Sequence, residues 1–404
     1  MSSPLHLDVL VIPYKPITGL VAPMGEGEAT WPATSVSLIS GEHDAVLIDA
    51  GLTPEDAGRV VDWIRASGKN LTTIYITHGH GDHFFGLNTI LDAFPNARAV
   101  TAAAVVPEAQ GQLSPELMQF WNALFPGQIP EHPIVPDALD GDVIDLEGHE
   151  LRIITVGQSD TDLSTIVHIP SLDAVISGDV AYNGIHQWLA QTDHEKRMQW
   201  IASVEQIEAL KPKIVVAGHK RPDARDDDPA TILGDTKTYI RDFDQSLAES
   251  RSAQELVDKM MVLHGDRGNP YTLWTAAQGV FEQGQCPGFA HHVRDDRLDE
   301  PALDVQADRP RRFLNDLPEF VRAELTDQHL MGLNELGEVP KRGQPRVEVG
   351  TQRDDDRDPP AGNGRSVVQG FEEHGRSVGV PTQGEQLLAL IDHDQQPAVP
   401  RFVG

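Results

Sequence analysis

The sequence predicts an α/β fold in which mixed β-sheets are covered by helices, followed by a long extension of different composition. Short β-rich runs alternate with amphipathic helical patterns over residues 1–282. Some neighbouring runs are joined by short turns, which is typical of antiparallel hairpins, and others are separated by a helix, which is typical of parallel strands. Together these patterns indicate mixed sheets with helices packed on them.

The elements follow from periodicity and from turn residues. Hairpins are predicted for residues 35–40 with 45–49, 143–146 with 151–156, and 164–169 with 174–177. Helices are predicted for residues 54–66, 84–94, 195–210, 233–247 and 253–263, and further strands for 71–77 and 214–217. Gly68 stands where the first helix should be capped, and Pro95 should stop the second.

Residues 283–404 have the composition of a largely disordered, low-complexity extension. They are rich in Arg, Asp, Gly, Pro and Gln, and they lack a sustained apolar period. We therefore predict one domain over residues 1–282, with at most isolated helices at residues 317–325 and 386–391 beyond it.

Charge and composition restrict the class of partner. The formal net charge is −30, so the chain should repel nucleic-acid backbones and anionic membranes, and a small-molecule substrate is expected. The single cysteine, Cys286, excludes an internal disulfide and a thiolate zinc site. The N-terminus lacks a signal-peptide pattern and no apolar run is long enough to span a bilayer, so a cytoplasmic location is expected. The sequence makes no prediction of oligomeric state.

The strongest chemical signal is the run from His78 to His83, His-Gly-His-Gly-Asp-His. It directly follows the strand predicted for residues 71–77. In an extended segment His78 and His80 project to the same side, and the glycines permit a turn that brings Asp82 and His83 back toward them. Imidazoles with a carboxylate suit a divalent, borderline-soft cation, so a metal site is predicted here.

Three further strands deliver one polar residue each at or near their ends: Asp49, Asp179 and His219. Ligand sites in layered α/β folds lie where strand ends converge. Four such strand ends that carry Asp or His therefore predict a single site.

These motifs resemble the metallo-β-lactamase superfamily over about residues 7–281. The resemblance implies a four-layer αββα sandwich and one or two Zn²⁺ ions per chain, with Fe or Mn as alternatives. It implies that Asp49 orients the histidine loop from a buried position. The resemblance also implies which residues bind metal. His78 and His80 would bind the first metal, and Asp82, His83 and His219 would bind the second. Asp179 would bridge the two metals.

One position departs from the family pattern. The family has a third histidine for the first metal, and Gln158 stands at the corresponding place. An amide oxygen is a poorer zinc donor than an imidazole, so Gln158 should weaken the first metal site. The site could then be mononuclear, asymmetric, or dependent on abundant metal.

Two further residues are candidates for substrate contact. Tyr182 follows Asp179 with an Asp-x-x-Tyr spacing similar to that of acyl-homoserine lactonases, which implies a phenol near the substrate carbonyl. His186 could line the same pocket. The alternatives are a packing role for Tyr182 and an exposed loop position for His186.

The predicted function is hydrolysis of an ester, lactone, thioester or amide by a metal-activated water, with Asp82 or Asp179 orienting the water or accepting its proton. A catalytically weakened or silent metal-binding protein is the main alternative because of Gln158. A mononuclear iron dioxygenase and a nucleic-acid-processing enzyme are further alternatives. The dioxygenase would need a histidine at the position where Gln158 stands. The negative charge of the chain would repel the substrate of a nucleic-acid-processing enzyme.

Overall fold

The computed structural model describes residues 3–19 and 29–285 of the 404-residue chain. Within these ranges the strands are β1 (His6–Ile12), β2 (Lys15–Pro16), β3 (Thr30–Trp31), β4 (Thr34–Ser40), β5 (Asp44–Ile48), β6 (Asn70–Ile76), β7 (Arg98–Thr101), β8 (Asp137–Ala138), β9 (Val143–Leu146), β10 (His149–Gly157), β11 (Ser164–Ile169), β12 (Ala174–Asn183) and β13 (Ile214–Lys220). The α-helices are α1 (Pro54–Ser67), α2 (Gly81–Phe84), α3 (Leu87–Ala93), α4 (Val106–Gly111), α5 (Pro115–Leu124), α6 (His194–Leu210), α7 (Pro229–Ala248), α8 (Ala253–His264) and α9 (Pro270–Gln285). No helix in these ranges is long and apolar enough to span a membrane.

One continuous hydrogen-bonded sheet contains most of the strands, in the order β8-β7-β6-β5-β4-β13-β12-β11-β10-β9, with β1 paired to β4. Strands β5 to β8 are parallel to one another, β12 and β13 are parallel, and the hairpin pairs are antiparallel. The pairing between β4 and β13 is a single antiparallel partnership, Thr34 with His219. This pairing divides the sheet into two halves, one ending at β8 and the other at β9.

Three apolar cores show that the two halves form separate layers. Alternation along β5 places Leu47 in one core and Val46 in another, so both faces of this strand are covered. The first core joins β4, β5 and β6, in the half that ends at β8, to α1, α3 and α5. The second core lies between the two halves of the sheet. The third core joins β12 and β13, in the half that ends at β9, to α6 and α7. Representative pairs are, in that order, Leu47 with Val60, Val46 with Val167, and Val215 with Trp200. The predicted four-layer αββα sandwich is confirmed.

Helix α1 shows how local sequence sets an element. Thr53 accepts a hydrogen bond from the Asp56 backbone N–H at the N-cap, and Pro54 occupies the first turn, where no N–H is needed. Gly68 ends the helix in a left-handed conformation, with φ 69°. The three predicted hairpins and the helices predicted for residues 195–210, 233–247 and 253–263 are likewise confirmed within a few residues at each end.

The helix predicted for residues 84–94 is wrong in its extent. The chain instead forms α2 and α3, which are separated at Phe85 and Gly86. Gly86 lies against the segment between β5 and α1, where a Cβ atom would be 2.1 Å from the carbonyl oxygen of Ala50. Its N–H donates to Gly51 O at 2.9 Å. This tertiary contact interrupts the helical periodicity.

The predicted disordered segment lies outside the described residues, except for residues 283–285 at the end of α9. The helices predicted at residues 317–325 and 386–391 also lie outside them.

Candidate metal centre

The His78–His83 run lies at the end of β6, where the sequence places it. Strand β6 ends at Ile76, His80 precedes α2 as its N-cap residue, and α2 carries Asp82 and His83. His78, Asp82 and His83 are buried, with side chains at most 3% exposed, although each carries a polar group. Buried polar clusters of this kind require partners, which the neighbouring strands supply.

The first group of potential ligands contains His78, His80, Asp160 and Asp179. One nitrogen or oxygen atom of each lies within 4.8 Å of the others. Asp160 comes from the loop between β10 and β11, and its Oδ2 is 3.1 Å from Nδ1 of His80.

The second group contains Asp82, His83 and His219, again with ligand atoms within 4.8 Å of one another. Oδ2 of Asp82 is 3.4 Å from Nε2 of His219 and 3.8 Å from Nε2 of His83. Strand β13 brings His219 to this position.

Asp179, on β12, contacts members of both groups. Its Oδ2 is 3.1 Å from Nε2 of His219 and 3.9 Å from Nε2 of His78, while its Oδ1 is 3.3 Å from Nε2 of His83. Gly218 makes this approach possible, because a Cβ atom there would lie 2.1 Å from Oδ1 of Asp179. Asp179 therefore lies between the two groups of potential ligands.

Gln158 lies in the same loop as Asp160. It is buried, but its Nε2 donates to the carbonyl oxygens of Ser159 and Thr161, both at 2.8 Å. Gln158 therefore braces the loop, and Asp160 occupies the place beside His80. The role predicted for Gln158 at the first metal stays a prediction.

Asp49 contacts the histidine loop, as the resemblance implies. Its Oδ2 is 2.9 Å from Nδ1 of His83, and its Oδ1 accepts a hydrogen bond from the Thr77 backbone N–H. Asp49 has a left-handed backbone, with φ 63°, which Asp tolerates better than most residues. The bond to Nδ1 leaves Nε2 of His83 directed toward Asp179.

Tyr182 and His186 lie in different environments. The Tyr182 hydroxyl donates to Oδ2 of Asp179 at 3.0 Å, and its ring lines the cleft over the ligand groups. His186 does not line this cleft. It is buried against α7, where its Nδ1 is 2.9 Å from the Tyr239 hydroxyl.

Trp31 was missed in the sequence, since a single tryptophan before a strand carries no positional signal. Its indole Nε1–H donates to Oδ2 of Asp82 at 2.9 Å. Its ring packs against Trp121 and Trp188, with ring centroids 5.1 and 5.9 Å away. Trp31 thus connects the ligand groups to an aromatic side of the same cleft.

The chemistry of these residues fits a metal. Nε2 of His78, Nε2 of His83 and Oδ1 of Asp179 are buried and, among the described residues, have no hydrogen-bond partner. Leaving buried polar atoms without a hydrogen bond costs about 1–3 kcal/mol each, which a coordinated cation would offset. Imidazole and carboxylate donors at this spacing suit a borderline divalent ion.

The protonation of the metal-free groups follows from burial and from their acidic neighbours. Burial alone would lower the pKa of His219, but Asp179 and Asp82 raise it to about 10. Burial would likewise lower the pKa of His80, but Asp160 raises it to about 9. Burial lowers the pKa of His78 well below its usual value. A divalent cation would therefore replace protons that these carboxylates otherwise hold on the imidazoles of His80 and His219.

Two curated relatives match short segments of the chain. An uncharacterised protein, YobT, from Bacillus subtilis (strain 168) is 36% identical over 63 residues, which is 16% of this chain and 27% of that protein. A hydroxyacylglutathione hydrolase from Aeromonas salmonicida (strain A449) is 39% identical over 61 residues, or 15% of this chain and 22% of that protein. The chain thus spans about a quarter of the length of the curated relatives that it matches.

Solved structures that resemble this chain include a metallo-beta-lactamase from Pontibacter korlensis. It has a TM-score of 0.41 and 18% identity, over 59% of this chain and 99% of that chain. A metallo-beta-lactamase family protein from Thermus thermophilus has a TM-score of 0.47 and 19% identity, over 69% and 94% of the two chains.

The family model of the metallo-beta-lactamase superfamily matches residues 29–219. This range contains the ligand residues of both groups, from His78 to His219. Residues 29–219 are therefore similar to the metallo-beta-lactamase superfamily.

Proposed function

We propose that this protein is a metal-dependent hydrolase that cleaves an ester, lactone, thioester or amide bond, with Zn²⁺ as its cofactor. The observation that carries the proposal is Asp179, whose carboxylate lies between two groups of potential ligands at the base of an open cleft. We expect the protein to act in the cytoplasm.

Seven side chains would hold the metal ions: His78, His80, Asp160 and Asp179 on one side, and Asp82, His83 and His219 on the other. A bound divalent cation lowers the pKa of a coordinated water to about 7 and polarises a carbonyl group, so hydroxide is available at neutral pH.

The side chains of the cleft have defined tasks in this proposal. Asp179 would accept a hydrogen bond from the attacking water and orient it. Tyr182, whose hydroxyl is 3.0 Å from Asp179, would turn that hydroxyl toward the oxygen of the substrate carbonyl. Burial and the charge of Asp179 raise the pKa of Tyr182, so the phenol keeps the proton that it needs as a donor.

The proposal is tested by reconstituting metal-depleted protein with Zn²⁺, Mn²⁺ or Fe²⁺ and measuring hydrolysis of neutral esters, lactones, thioesters and amides. Asp179→Asn should lower kcat/KM by at least about 100-fold, because the bridging charge is lost. Asp173→Asn, an exposed change on the turn before the same strand, should have no effect. Tight metal binding without turnover of any substrate class would reject the hydrolase and favour a silent metal-binding protein.

A further inference from the structure

The cleft over the ligand groups has an aromatic side, formed by Trp31, Phe120, Trp121 and Trp188, which we call the aromatic wall. Trp31 is at its centre, in contact with both Trp121 and Trp188. The same ring donates its N–H to Asp82. A substrate held at the ligand groups is therefore within reach of flat aromatic surface.

Trp188 is the member of the wall that a bound molecule can cover. Trp31, Phe120 and Trp121 are at most 9% exposed, because they pack against one another and against Phe125. Trp188 is only half-buried and lies in the segment between β12 and α6. Trp188 therefore retains accessible surface that a bound ring could cover.

Once a metal holds the histidines, the described lining of the cleft offers no side-chain cation to an anionic substrate. Its ionisable lining residues are Asp, His and Tyr, and none of the described residues that line it is Lys or Arg. Lys15, which pairs with Trp31 across β2 and β3, is engaged with Asp56 at 3.2 Å. Residues 20–28 also contain no Lys or Arg. A carboxylate on the substrate, away from the metal, would be buried without a partner, which is costly.

On the basis of the proposed hydrolase function, we propose that the substrate is an uncharged carbonyl compound carrying a flat apolar ring. The carbonyl would lie at Asp179 and Tyr182, and the ring would stack on Trp188. Offset or edge-to-face contacts between aromatic rings are favourable beyond the apolar area that they bury, so a flat ring is preferred over a saturated one of equal size.

The test uses three ketones that cannot be hydrolysed: acetophenone, 4-acetylbenzoate and cyclohexyl methyl ketone. Dissociation constants for the zinc-loaded full chain are measured by ligand-observed NMR. Acetophenone should bind about 3–10-fold more tightly than cyclohexyl methyl ketone, which has the same carbonyl on a puckered ring. It should bind at least about 10-fold more tightly than 4-acetylbenzoate, which adds a carboxylate.

Variants identify the surface responsible. Trp188→Leu should remove the preference for acetophenone over the cyclohexyl ketone, whereas Trp188→Phe should keep it. Trp63→Leu is the matched control, because Trp63 is also half-buried but lies on α1, outside the cleft. Circular dichroism of each variant checks that the fold is intact.

Equal or tighter binding of 4-acetylbenzoate would overturn the inference, as would a preference that Trp188→Leu leaves unchanged. These outcomes are separate from those of the proposed function, because ketone binding involves no turnover. A protein that shows the predicted ketone selectivity but hydrolyses nothing contradicts only the hydrolase. A protein that cleaves carboxylate-bearing esters as fast as neutral ones contradicts only the substrate class.

Discussion

Asp160 joins the candidate ligands only in the structure, and it carries a direct prediction. Its side chain is 2% exposed and is 3.1 Å from His80. Asp160→Asn removes the charge but keeps the shape, so the first metal should bind about 10–100-fold more weakly. After dialysis, elemental analysis should find two zinc ions per wild-type chain and one per variant chain.

Asp162→Asn is the matched control, since Asp162 is 63% exposed and pairs with Lys196. Gln158→Ala should loosen the loop yet leave metal stoichiometry near two. If Gln158→Ala loses a metal while Asp160→Asn retains both, the assignment of Asp160 is reversed. Gln158→His should not raise metal content, because the imidazole would replace a brace rather than a ligand.

At this scale, the sequence predicted residues of the local motif and polar residues at strand ends, and it missed a contact that neither pattern marks. His78, His80, Asp82 and His83 follow one strand, so spacing alone places them together. The pairing of Trp31 with Asp82 spans 51 positions, and no local pattern indicates it.

At the scale of elements, Gly86 and Gly58 should respond in opposite ways to the same substitution. Gly86→Ala would place a methyl group against Ala50 O and should destabilise the protein by about 1–3 kcal/mol. Gly58 lies within α1 with open space around its Cα, so Gly58→Ala should stabilise by about 0.5–1 kcal/mol. Urea unfolding of both variants measures the difference, and equal effects would contradict the contact at Gly86.

Glu147 links two hairpin turns and makes stability depend on pH. Its carboxylate accepts hydrogen bonds of 2.6–2.7 Å from three backbone N–H groups in the β4–β5 turn, those of Asp44, His43 and Glu42. These bonds lower the pKa of Glu147 from 4.5 to about 2. The stabilisation is therefore fully present above pH 4.5 and is lost as the pH falls toward 2.

Glu147→Gln should thus destabilise metal-free protein at pH 7, and the difference from wild type should shrink as the pH falls from 4.5 toward 2. Unfolding by urea between pH 7 and pH 3 provides the measurement, with metal-free protein used so that metal release does not contribute. Glu150→Gln, on the same hairpin beside Arg152, is the control. A difference that is constant with pH would rule out the charge of Glu147 as its cause.

Elements with strong end signals were predicted well, and short or interrupted ones were not. Pro54 and Gly68 mark both ends of α1, and the hairpins have compact turns. Strand β7 has only four residues, and the gap between α2 and α3 depends on a contact with another segment. Such contacts cannot be predicted from the local sequence.

For the whole molecule, we predict that residues 286–404 are dispensable for metal binding. The ligand residues and the three apolar cores all lie between residues 5 and 281. The sequence beyond them lacks the apolar periodicity that would offset the entropy of ordering it, about 1–2 kcal/mol per residue of backbone. A chain ending at Gln285 should keep its metal content and its midpoint of thermal unfolding. A marked fall in either would show that the extension stabilises the domain.

The overall architecture was predictable because alternation of element types constrains the layers, and the structure confirms the four-layer arrangement. The order of strands across the sheet was not predictable in the same way, because it depends on pairings between distant segments such as Thr34 with His219.

That pairing lies where the two halves of the sheet meet, and the ligand residues come from both sides of it. His78, His80, Asp82 and His83 belong to the first half, whereas Asp160, Asp179 and His219 belong to the second. A chain with one cysteine cannot tie its halves together by an internal disulfide. Bound metal would act here as a reversible crosslink that closes long loops of chain, and chelation would loosen the molecule along this line first.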